Sequence, residues 1–393
     1  MASKLIYTTD KGLYCEAGDF YIDPWRPVER AVITHAHSDH ARWGSRNYLC
    51  AEPGAKVLRH RVGNDGEIEG VPYGKQLTIN DTTVSFHPAG HILGSAQVRV
   101  ERKGEIWVVS GDYKLDEDPT CAPWEPVKCH TFITESTFGL PIYTWSNNVD
   151  LFTDINAWWE KNKRDGKSSL LLAYALGKAQ RLLMGVDPSI GPIYTHGAVA
   201  TMNQIYDNSC VKLPESTRLS TMPKGTKYAG ALILAPPSAY GTPWQRQLNP
   251  VSAAFASGWM RVRGIRRRRS LDKGFPVSDH CDWPSLLKAV KLTEAENILV
   301  THGYSQVLVR YLRDQGLNAD TLSTQFEGEE EMALEQSPSE QNTQHDGENG
   351  NGDAASSKGD GSGNANGRGN AAGDGNAAGD GNANGGEDAE VQE

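Results

Sequence analysis

The fold of this chain is decided by the stretch Thr34-His35-Ala36-His37-Ser38-Asp39-His40, which places three imidazoles and one carboxylate within six residues. It directly follows the apolar run Ala31-Val32-Ile33. A β-branched run of this kind predicts a buried strand, so the histidines fall where that strand opens into a loop. Imidazole and carboxylate donors without neighbouring thiolates favour zinc, manganese or iron. The stretch therefore predicts half of a two-metal site, the alternative being a polar loop that binds nothing.

Polar side chains stand at the ends of other predicted strands in the first half of the chain. Short runs bounded by Gly, Asp, Asn or Pro predict strands at 5–8, 13–16, 20–22, 31–34, 76–79, 82–86, 96–101 and 106–110, with a helix near 52–61. Asp23 and Asp112 each follow one of these strands, and His91 lies between two of them. We expect these side chains and the histidine cluster to share one rim of a sheet.

The second half of the chain alternates predicted strands and helices. Glu135 belongs to a strand that starts at Thr131, and an aromatic amphipathic helix is predicted at 149–163. Further elements are predicted at 169–173, 178–185, 192–195, 199–208, 231–235, 253–257, 297–301 and 305–315. This alternation predicts an α/β chain. Because His280 and His302 return beside regular elements after this stretch, we expect a first domain interrupted by an inserted one.

The end of the chain has a different composition from the rest. Residues 327–393 consist mainly of Gly, Asn, Ala, Asp and Glu, and they hold sixteen acidic residues against Lys358 and Arg368. Such a segment cannot bury enough apolar surface to offset the entropy of ordering, so a disordered acidic tail is predicted. The preceding residues then carry a net charge of about +4, although the whole chain carries −10. A polyanionic ligand is compatible with that balance.

Cysteine usage and hydropathy restrict the compartment. The six cysteines are scattered without a CxxC pair, and the sequence shows neither a secretory leader nor an apolar run of the roughly 20 residues that span a bilayer. We expect a cytoplasmic protein with reduced thiols that does not enter a membrane.

Dispersed motifs carry a family resemblance. The His35 to His40 motif, His91 in GHILGSA and Asp112 in SGDYK resemble the metallo-β-lactamase fold. Glu135 in ESTFG, His280 in SDHCDW and His302 in VTHGY resemble the three additional motifs of the β-CASP nucleases, which process nucleic acids. The segments YALGKAQRLL, SGWMRVRGIRRRR, GFPVSDHCDWPSLL and VTHGYSQVLVRYL are most similar to the bacterial ligase-associated DNA exonucleases.

The resemblance implies a domain organisation. It predicts a metallo-β-lactamase αββα sandwich formed by residues 1–146 and 270–326, into which a small α/β β-CASP domain is inserted at 147–269. Residues 327–393, the acidic Gly/Asn-rich tail, are not part of the family pattern.

The resemblance also implies roles for the site residues. Two divalent ions, Zn²⁺ with Mn²⁺ as the alternative, would be held by His35, His37 and His91 and by Asp39, His40 and His302, with Asp112 bridging them. Asp39 and Asp112 would thereby act in catalysis. Asp23 would orient a ligand histidine, the alternative being a turn-forming Asp before Pro24. Glu135 would orient His280 and favour its protonated form, so that His280 donates a proton to the leaving oxygen.

Basic residues are candidates for binding the nucleic-acid backbone. Arg261, Arg263, Arg266, Arg267, Arg268 and Arg269 lie within nine residues beside Trp259. Arginine pairs with phosphate and aromatic rings stack on bases, so this run predicts backbone tracking without sequence specificity. The alternatives are a solvated basic face or a segment that pairs with the acidic tail. Lys178 and Arg181 either meet a phosphate at a helix N-terminus or form a solvated face. His60, His87, His130 and His196 lack a partnered motif and are interpreted as structural.

Several functions remain open at this level. The leading hypothesis is a two-metal DNA exonuclease in bacterial DNA repair, acting on single strands or free ends together with an ATP-dependent DNA ligase and associated repair proteins. An RNA-processing β-CASP ribonuclease, either a 3′-end endonuclease or an exonuclease, is the nearest alternative. RNA-processing members tend to have His at the position of His302, where the eukaryotic Snm-type DNA nucleases tend to have Val. A catalytically silent nucleic-acid-binding scaffold and a thioester or lactam hydrolase are further alternatives.

Overall fold

The structure is a computed structural model that describes residues 4–64, 66–262 and 271–326. Its strands form three sheets. The first sheet has the strand order β1 to β6, with β1 at Tyr7–Thr8, β2 at Leu13–Cys15, β3 at Phe20–Ile22, β4 at Arg30–Ile33, β5 at Asn47–Ala51 and β6 at Glu67–Val71. Strands β3 to β6 pair in parallel, whereas β1, β2 and β3 pair antiparallel.

The second sheet joins strands from both halves of the chain. It contains β7 at Leu77–Ile79, β8 at Thr82–Pro88, β9 at Ala96–Arg102, β10 at Glu105–Val109, β11 at Thr131–Ser136, β18 at Asn297–Gly303 and β19 at Asn318–Thr321, in the order β19-β18-β11-β10-β9-β8-β7. Every residue of β11 is buried, as expected for a strand with parallel neighbours on both sides.

The third sheet is built from residues that lie between β11 and β18 in sequence. It contains β12 at Ser168–Leu172, β13 at Ile193–Thr195, β14 at Thr217–Arg218, β15 at Leu232–Ala235, β16 at Val251–Ala256 and β17 at Lys273–Phe275, in the order β14-β13-β15-β12-β16-β17. Its strand pairs are all parallel. Parallel strands need helical crossovers, which cover the faces of the sheet.

The helices cover the sheets. They are α1 at Ala55–Val62, α2 at Asn148–Arg164, α3 at Lys178–Gly185, α4 at Gly197–Asn208, α5 at Trp283–Thr293 and α6 at Ser305–Asp314. Helix α1 packs on the outer face of the first sheet, and α5 and α6 pack on the outer face of the second. The inner faces of these two sheets share one core, to which Val32 and Leu49 contribute from one side and Phe86 and Val98 from the other. Helices α2, α3 and α4 pack on one face of the third sheet.

The predicted α/β class is confirmed, with two differences in detail. Strands β5, β6, β14, β17 and β19 were not expected. Strands β6, β14, β17 and β19 are short or polar and owe their conformation to pairing with a neighbour, whereas β5 is an apolar strand that the sequence analysis missed. Strand β17 lies beyond the predicted boundary at 269/270 but pairs with β16 in the third sheet. The assignment of the sheets to an αββα sandwich and an inserted domain stays a prediction. The tail at 327–393 lies outside the described residues. Within the part of the chain that is described, no helix is both long and apolar enough to cross a membrane.

Candidate metal centre

The loop after β4 carries four of the predicted ligands. His35, Asp39 and His40 are buried, and His37 is partly buried. The backbone N–H of His40 donates to the carbonyl of His37 over 3.2 Å, and that of Ala41 donates to the same carbonyl over 2.8 Å. This tight turn brings imidazoles on both sides of Asp39 towards one point.

Asp23 fixes the loop from the adjacent strand end. Its Oδ1 accepts a hydrogen bond from the backbone N–H of Thr34 over 2.8 Å, and its Oδ2 accepts one from the Thr34 hydroxyl over 2.5 Å. Oδ2 also lies 2.8 Å from Nδ1 of His40. A carboxylate on Nδ1 directs Nε2 of His40 into the cluster, which is the geometry of a residue that orients a ligand.

One group of potential ligands contains His35, His37, His91 and Asp112, whose nearest donor atoms all lie within 4.8 Å of one another. Nε2 of His91 lies 3.0 Å from Nδ1 of His37, and Nε2 of His35 lies 3.4 Å from Oδ2 of Asp112. Nδ1 of His91 contacts the carbonyl oxygen of Asp279 over 2.9 Å, and Nε2 of His37 contacts the carbonyl of Leu176 over 3.3 Å. Backbone carbonyls therefore hold both rings with their other nitrogen towards the cluster.

A second group lies on the other side of Asp112. Nε2 of His40 lies 3.5 Å from Oδ2 of Asp39 and 3.6 Å from Oδ2 of Asp112. Nε2 of His302 lies 3.4 Å from Oδ1 of Asp112. His302 comes from β18, more than 260 residues after the loop, because β18 pairs with β11 beside the cluster. The two oxygens of Asp112 thus face imidazoles of both groups.

The sequence had suggested that these positions share one rim of a sheet, but they do not. Asp23 and the histidine loop follow strands of the first sheet, whereas His91, Asp112 and His302 belong to the second. The cluster forms where the ends of two packed sheets meet. Alternation of apolar residues gives the strands but does not reveal which of them belong to one sheet.

Glu135 and His280 form a buried pair next to Asp112. Nδ1 of His280 lies 2.9 Å from Oε2 and 3.1 Å from Oε1 of Glu135. The carboxylate is itself fixed, because the backbone N–H of Tyr113 donates to Oε1 over 2.9 Å and the hydroxyl of Thr137 donates to Oε2 over 2.6 Å. Nδ1 of His280 is also 3.9 Å from Oδ2 of Asp112. Glu135 therefore sets the orientation of the His280 ring.

Burial and close packing determine the charges of the cluster. Burial lowers the pKa of His35 well below its ordinary value, and burial together with His91 lowers the pKa of His37 to about 3. Burial disfavours the charged form of His40, but Asp112, Asp39 and Asp23 outweigh it and raise the pKa of His40 to about 10. Burial alone would raise the pKa of Asp112, but His40 and its neighbours hold that pKa well below its ordinary value. The carboxylate of Asp112 is thus ionised, His35 and His37 are neutral, and His40 favours its protonated form.

Unsatisfied atoms show that this donor set fits divalent cations. Among the described residues, Nε2 of His35, Nε2 of His40, Oδ1 of Asp112 and Nε2 of His302 are buried without a hydrogen-bond partner. Each such group costs about 1–3 kcal/mol, and all four face the cluster. The carboxylates that draw a proton onto His40 attract a metal ion in the same way, since metal and proton compete for one nitrogen. Nitrogen and oxygen donors without thiolate suit zinc or manganese.

Of the predicted nucleic-acid-binding residues, the structure describes Lys178, Arg181 and Arg261. Lys178 and Arg181 are buried on α3 and direct their charge into the protein. Nζ of Lys178 lies 3.7 Å from Asp279, and Nε of Arg181 lies 3.7 Å from Asp118. Arg261 is exposed and donates to the hydroxyl of Thr144 over 3.2 Å. Arg263, Arg266, Arg267, Arg268 and Arg269 lie outside the described residues, so phosphate contact by the run stays a prediction.

The four histidines interpreted as structural divide into two kinds. His87 pairs with Glu125 over 2.7 Å, and Nδ1 of His130 accepts from the backbone N–H of Ile106 over 3.0 Å. His60 and His196 instead line a cavity beside the centre.

Two residues at the centre were missed by the sequence analysis. The carbonyl of Asp279 holds His91, and the ring of Phe326 stacks on His40 with centroids 4.4 Å apart and an interplanar angle of 21°. Asp279 could have been noticed as the neighbour of His280. Phe326 carries no sequence signal, because its contact joins the end of the described chain to a loop far upstream.

The chain is similar in sequence to parts of known proteins. No protein-family model matches the chain. It is 29% identical over 312 residues to a probable DNA ligase of Opitutus terrae, covering 78% of this chain and 30% of that protein. It is 27% identical over 238 residues to a ribonuclease of Thermus thermophilus, covering 53% of this chain and 52% of the relative. The chain thus spans about half or less of the length of these two relatives.

A solved structure shows a similar fold. A protein of unknown function from Enterococcus faecalis superposes with a TM-score of 0.51 at 11% identity, covering 76% of this chain and 80% of the other. That likeness concerns the fold alone. In its motifs and in its relatives, the chain resembles the β-CASP branch of the metallo-β-lactamase nucleases.

Proposed function

We propose that the chain is a nuclease that hydrolyses phosphodiester bonds with two divalent metal ions, Zn²⁺ or Mn²⁺. The observation that carries the proposal is the position of Asp112, whose Oδ2 faces His35 and His40 and whose Oδ1 faces His302, so that its carboxylate lies between the two groups of imidazoles. The similarity to a ribonuclease supports nuclease activity.

The ligand sets follow the two groups. One ion would be held by His35, His37 and His91, and the other by Asp39, His40 and His302. Asp112 would contribute to both sites. When bound, two such ions supply an acidified water and stabilise negative charge on the phosphoryl oxygens. Asp23, Asp279 and Leu176 contribute by holding the ligand rings, so that little reorganisation accompanies binding.

His280 and Glu135 provide the proton. With Nδ1 of His280 held by Glu135, Nε2–H of the ring would be the donor to the leaving oxygen, and Glu135 would stabilise the positive charge of the donor form. The same pair restricts rotation of the ring and so favours one orientation of the scissile bond.

For the substrate, we propose DNA with single strands or free ends, processed as an exonuclease in repair together with a DNA ligase. The similarity to a probable DNA ligase over most of this chain supports that choice. The alternative is RNA, which the similarity to a ribonuclease supports. A bacterial cytoplasmic location stays a prediction.

A matched digestion separates the two substrates. The purified chain, loaded with Zn²⁺ or Mn²⁺, is given DNA and RNA strands of one sequence, each labelled at either end. We expect faster loss of DNA, with single nucleotides released from one end. Preferential cleavage of RNA would overturn the DNA assignment, and binding without cleavage under every metal would support the silent scaffold.

A further inference from the structure

A cavity of about 600 Å³ borders the candidate metal centre on the side of His37. Its walls come from the end of α1, from the histidine loop and from segments that follow β12, β13 and β14 of the third sheet. His37 and Ser38 form part of the wall, and Leu176, whose carbonyl contacts His37, forms another part. Any group held here therefore lies next to the atoms proposed to act on phosphorus.

The rim of the cavity is basic. Arg61, Arg218, His60 and His196 line it, and the lining contains no Asp or Glu among the described residues. Arg61 is fixed by a hydrogen bond of 3.1 Å from its Nε to the carbonyl of Ala36, within the histidine loop. Within the described chain, neither arginine lies within salt-bridge distance of a carboxylate. Both guanidinium groups keep donors that suit a phosphate.

Helix α4 adds to this field. It begins at Gly197, whose backbone lies at the wall of the cavity, while the next N–H, that of Ala198, donates to Nδ1 of His196 over 3.2 Å. A Cβ on Gly197 would lie only 3.0 Å from Nη2 of Arg218, which places the guanidinium against this helix end. Helix end and arginine together favour an anion at the rim.

The interior of the cavity is different from its rim. Leu176, Met202 and Ala175 give it an apolar surface, and Tyr174 adds an aromatic ring. An apolar surface combined with a basic rim suits a group with a flat apolar part and a phosphate. The volume falls in the range of roughly 300–1,000 Å³ that is typical of small-ligand sites, so one nucleotide fits.

We propose that this cavity holds one unpaired nucleotide of the substrate strand, adjacent to the scissile phosphodiester. Its base lies on Leu176 and Met202, and its phosphate lies between Arg61 and Arg218. A base inside a walled cavity cannot be paired, so the strand must be single at this point. The proposal rests on the proposed function for the choice of nucleic acid as ligand.

Binding without cleavage tests the proposal separately from the nuclease activity. The full chain, freed of metal with EDTA, is titrated against a labelled single-stranded DNA octamer by fluorescence anisotropy at several salt concentrations. For the double variant R61Q/R218Q we expect at least about tenfold weaker binding, and a log–log salt slope shallower by about 0.7, the value for one phosphate on a single strand. The control R26Q/R46Q removes equal charge from two arginines outside the cavity and should bind nearly as the natural chain does.

A second pair of variants tests the base site without changing charge. Ala198→Trp fills the cavity, whereas Ala200→Trp adds the same ring to α4 outside the lining. We expect only the first to weaken octamer binding, and an octamer with one abasic position to bind the Ala198→Trp variant and the natural chain equally. Thermal melting confirms that each variant folds.

The outcomes separate the two proposals. If R61Q/R218Q and Ala198→Trp bind the octamer like their controls, the nucleotide site is wrong, whether or not the chain cleaves DNA. If they lose binding while the natural chain cleaves no substrate with any metal, the site stands and the nuclease assignment falls.

Discussion

Two buried clusters of ionisable residues lie side by side in this protein and differ in whether the chain itself supplies the opposite charges. The acceptor cluster consists of His35, His37, His40, His91, His302, Asp39 and Asp112. The mixed-charge cluster consists of Lys114, Lys178, Arg181, Asp118 and Asp279. In the acceptor cluster, the buried atoms without partners are imidazole nitrogens and a carboxylate oxygen, which together call for cations. In the mixed-charge cluster, Nζ of Lys114, Nε of Arg181 and Oδ1 of Asp279 also lack a hydrogen-bond partner among the described residues, but each cation lies 3.7–3.9 Å from a carboxylate of the chain itself.

The comparison shows that burial of charged residues does not by itself mark a binding site. Both clusters are almost inaccessible to water, and both carry the cost of desolvation. The mixed-charge cluster offsets that cost internally and joins α3 to the segment around Asp279. The acceptor cluster is left with lone pairs facing one another, which only protons or metal ions can satisfy.

Replacing the central carboxylate should give the largest effect. In Asp112→Asn the shape is kept but the charge that faces both groups is lost, so we expect activity to fall by about 10⁴-fold or more, with loss of bound metal. Steady-state digestion and elemental analysis measure the two quantities. Asp81→Asn, at an exposed carboxylate paired with Arg102, is the matched control. An Asp112→Asn protein with full activity would contradict the two-metal assignment.

Replacing the proton donor should cost less and leave the metals in place. His280→Gln removes the group that protonates the leaving oxygen, so we expect kcat to fall by about 10²–10⁴-fold with unchanged metal content. The control is His130→Gln, which changes a partly buried histidine that is not part of the acceptor cluster. If substrates with a good leaving group, such as a nitrophenyl phosphodiester, lose as much rate as DNA does, His280 is not the donor.

Removing a charge from the mixed-charge cluster should lower the stability of the fold. Arg181→Met leaves Asp118 and Asp279 buried with one cation fewer, and we expect the free energy of unfolding of the metal-free chain to fall by about 3 kcal/mol. Urea denaturation followed by circular dichroism measures it. Arg46→Met, which breaks an exposed pair with Glu29, should cause little change. Equal stability of the two variants would mean that the mixed-charge cluster contributes nothing net.

Replacing Asp23, which holds the ligand His40 in place, should give the smallest effect. Asp23→Asn weakens the hydrogen bond that holds Nδ1 of His40, so we expect metal affinity to fall by about 10- to 100-fold while the fold is kept. Competition with a chromogenic chelator measures the affinity. Asp19→Asn, at another positive-φ aspartate beside the first sheet, controls for backbone effects. An unchanged affinity would favour the interpretation of Asp23 as a turn residue.

The sequence was sufficient for some levels of this structure and not for others. Strands such as β3, β8 and β9 were placed within two residues, because their apolar pattern and bounding turns are local. That His302 lies near His40 was inferred only through family resemblance. Their proximity depends on the pairing of β18 with β11, and all strands of the third sheet lie between these two strands in the sequence. Lys178 and Arg181 were expected at a surface, because the carboxylates that pair with them come from distant segments. Short polar edge strands such as β6 and β19 have no local sequence pattern that predicts a strand.

The number of metal ions per chain tests the proposed two-metal centre most directly. The purified chain is stripped with chelator, dialysed against a small excess of Zn²⁺ and passed through a desalting column, and its zinc is counted by elemental mass spectrometry against protein concentration. Asp112→Asn is treated in parallel to subtract any ions held elsewhere. We expect a difference of two zinc ions per chain between the natural protein and the variant. Equal zinc in both proteins would contradict the claim that Asp112 joins two metal sites.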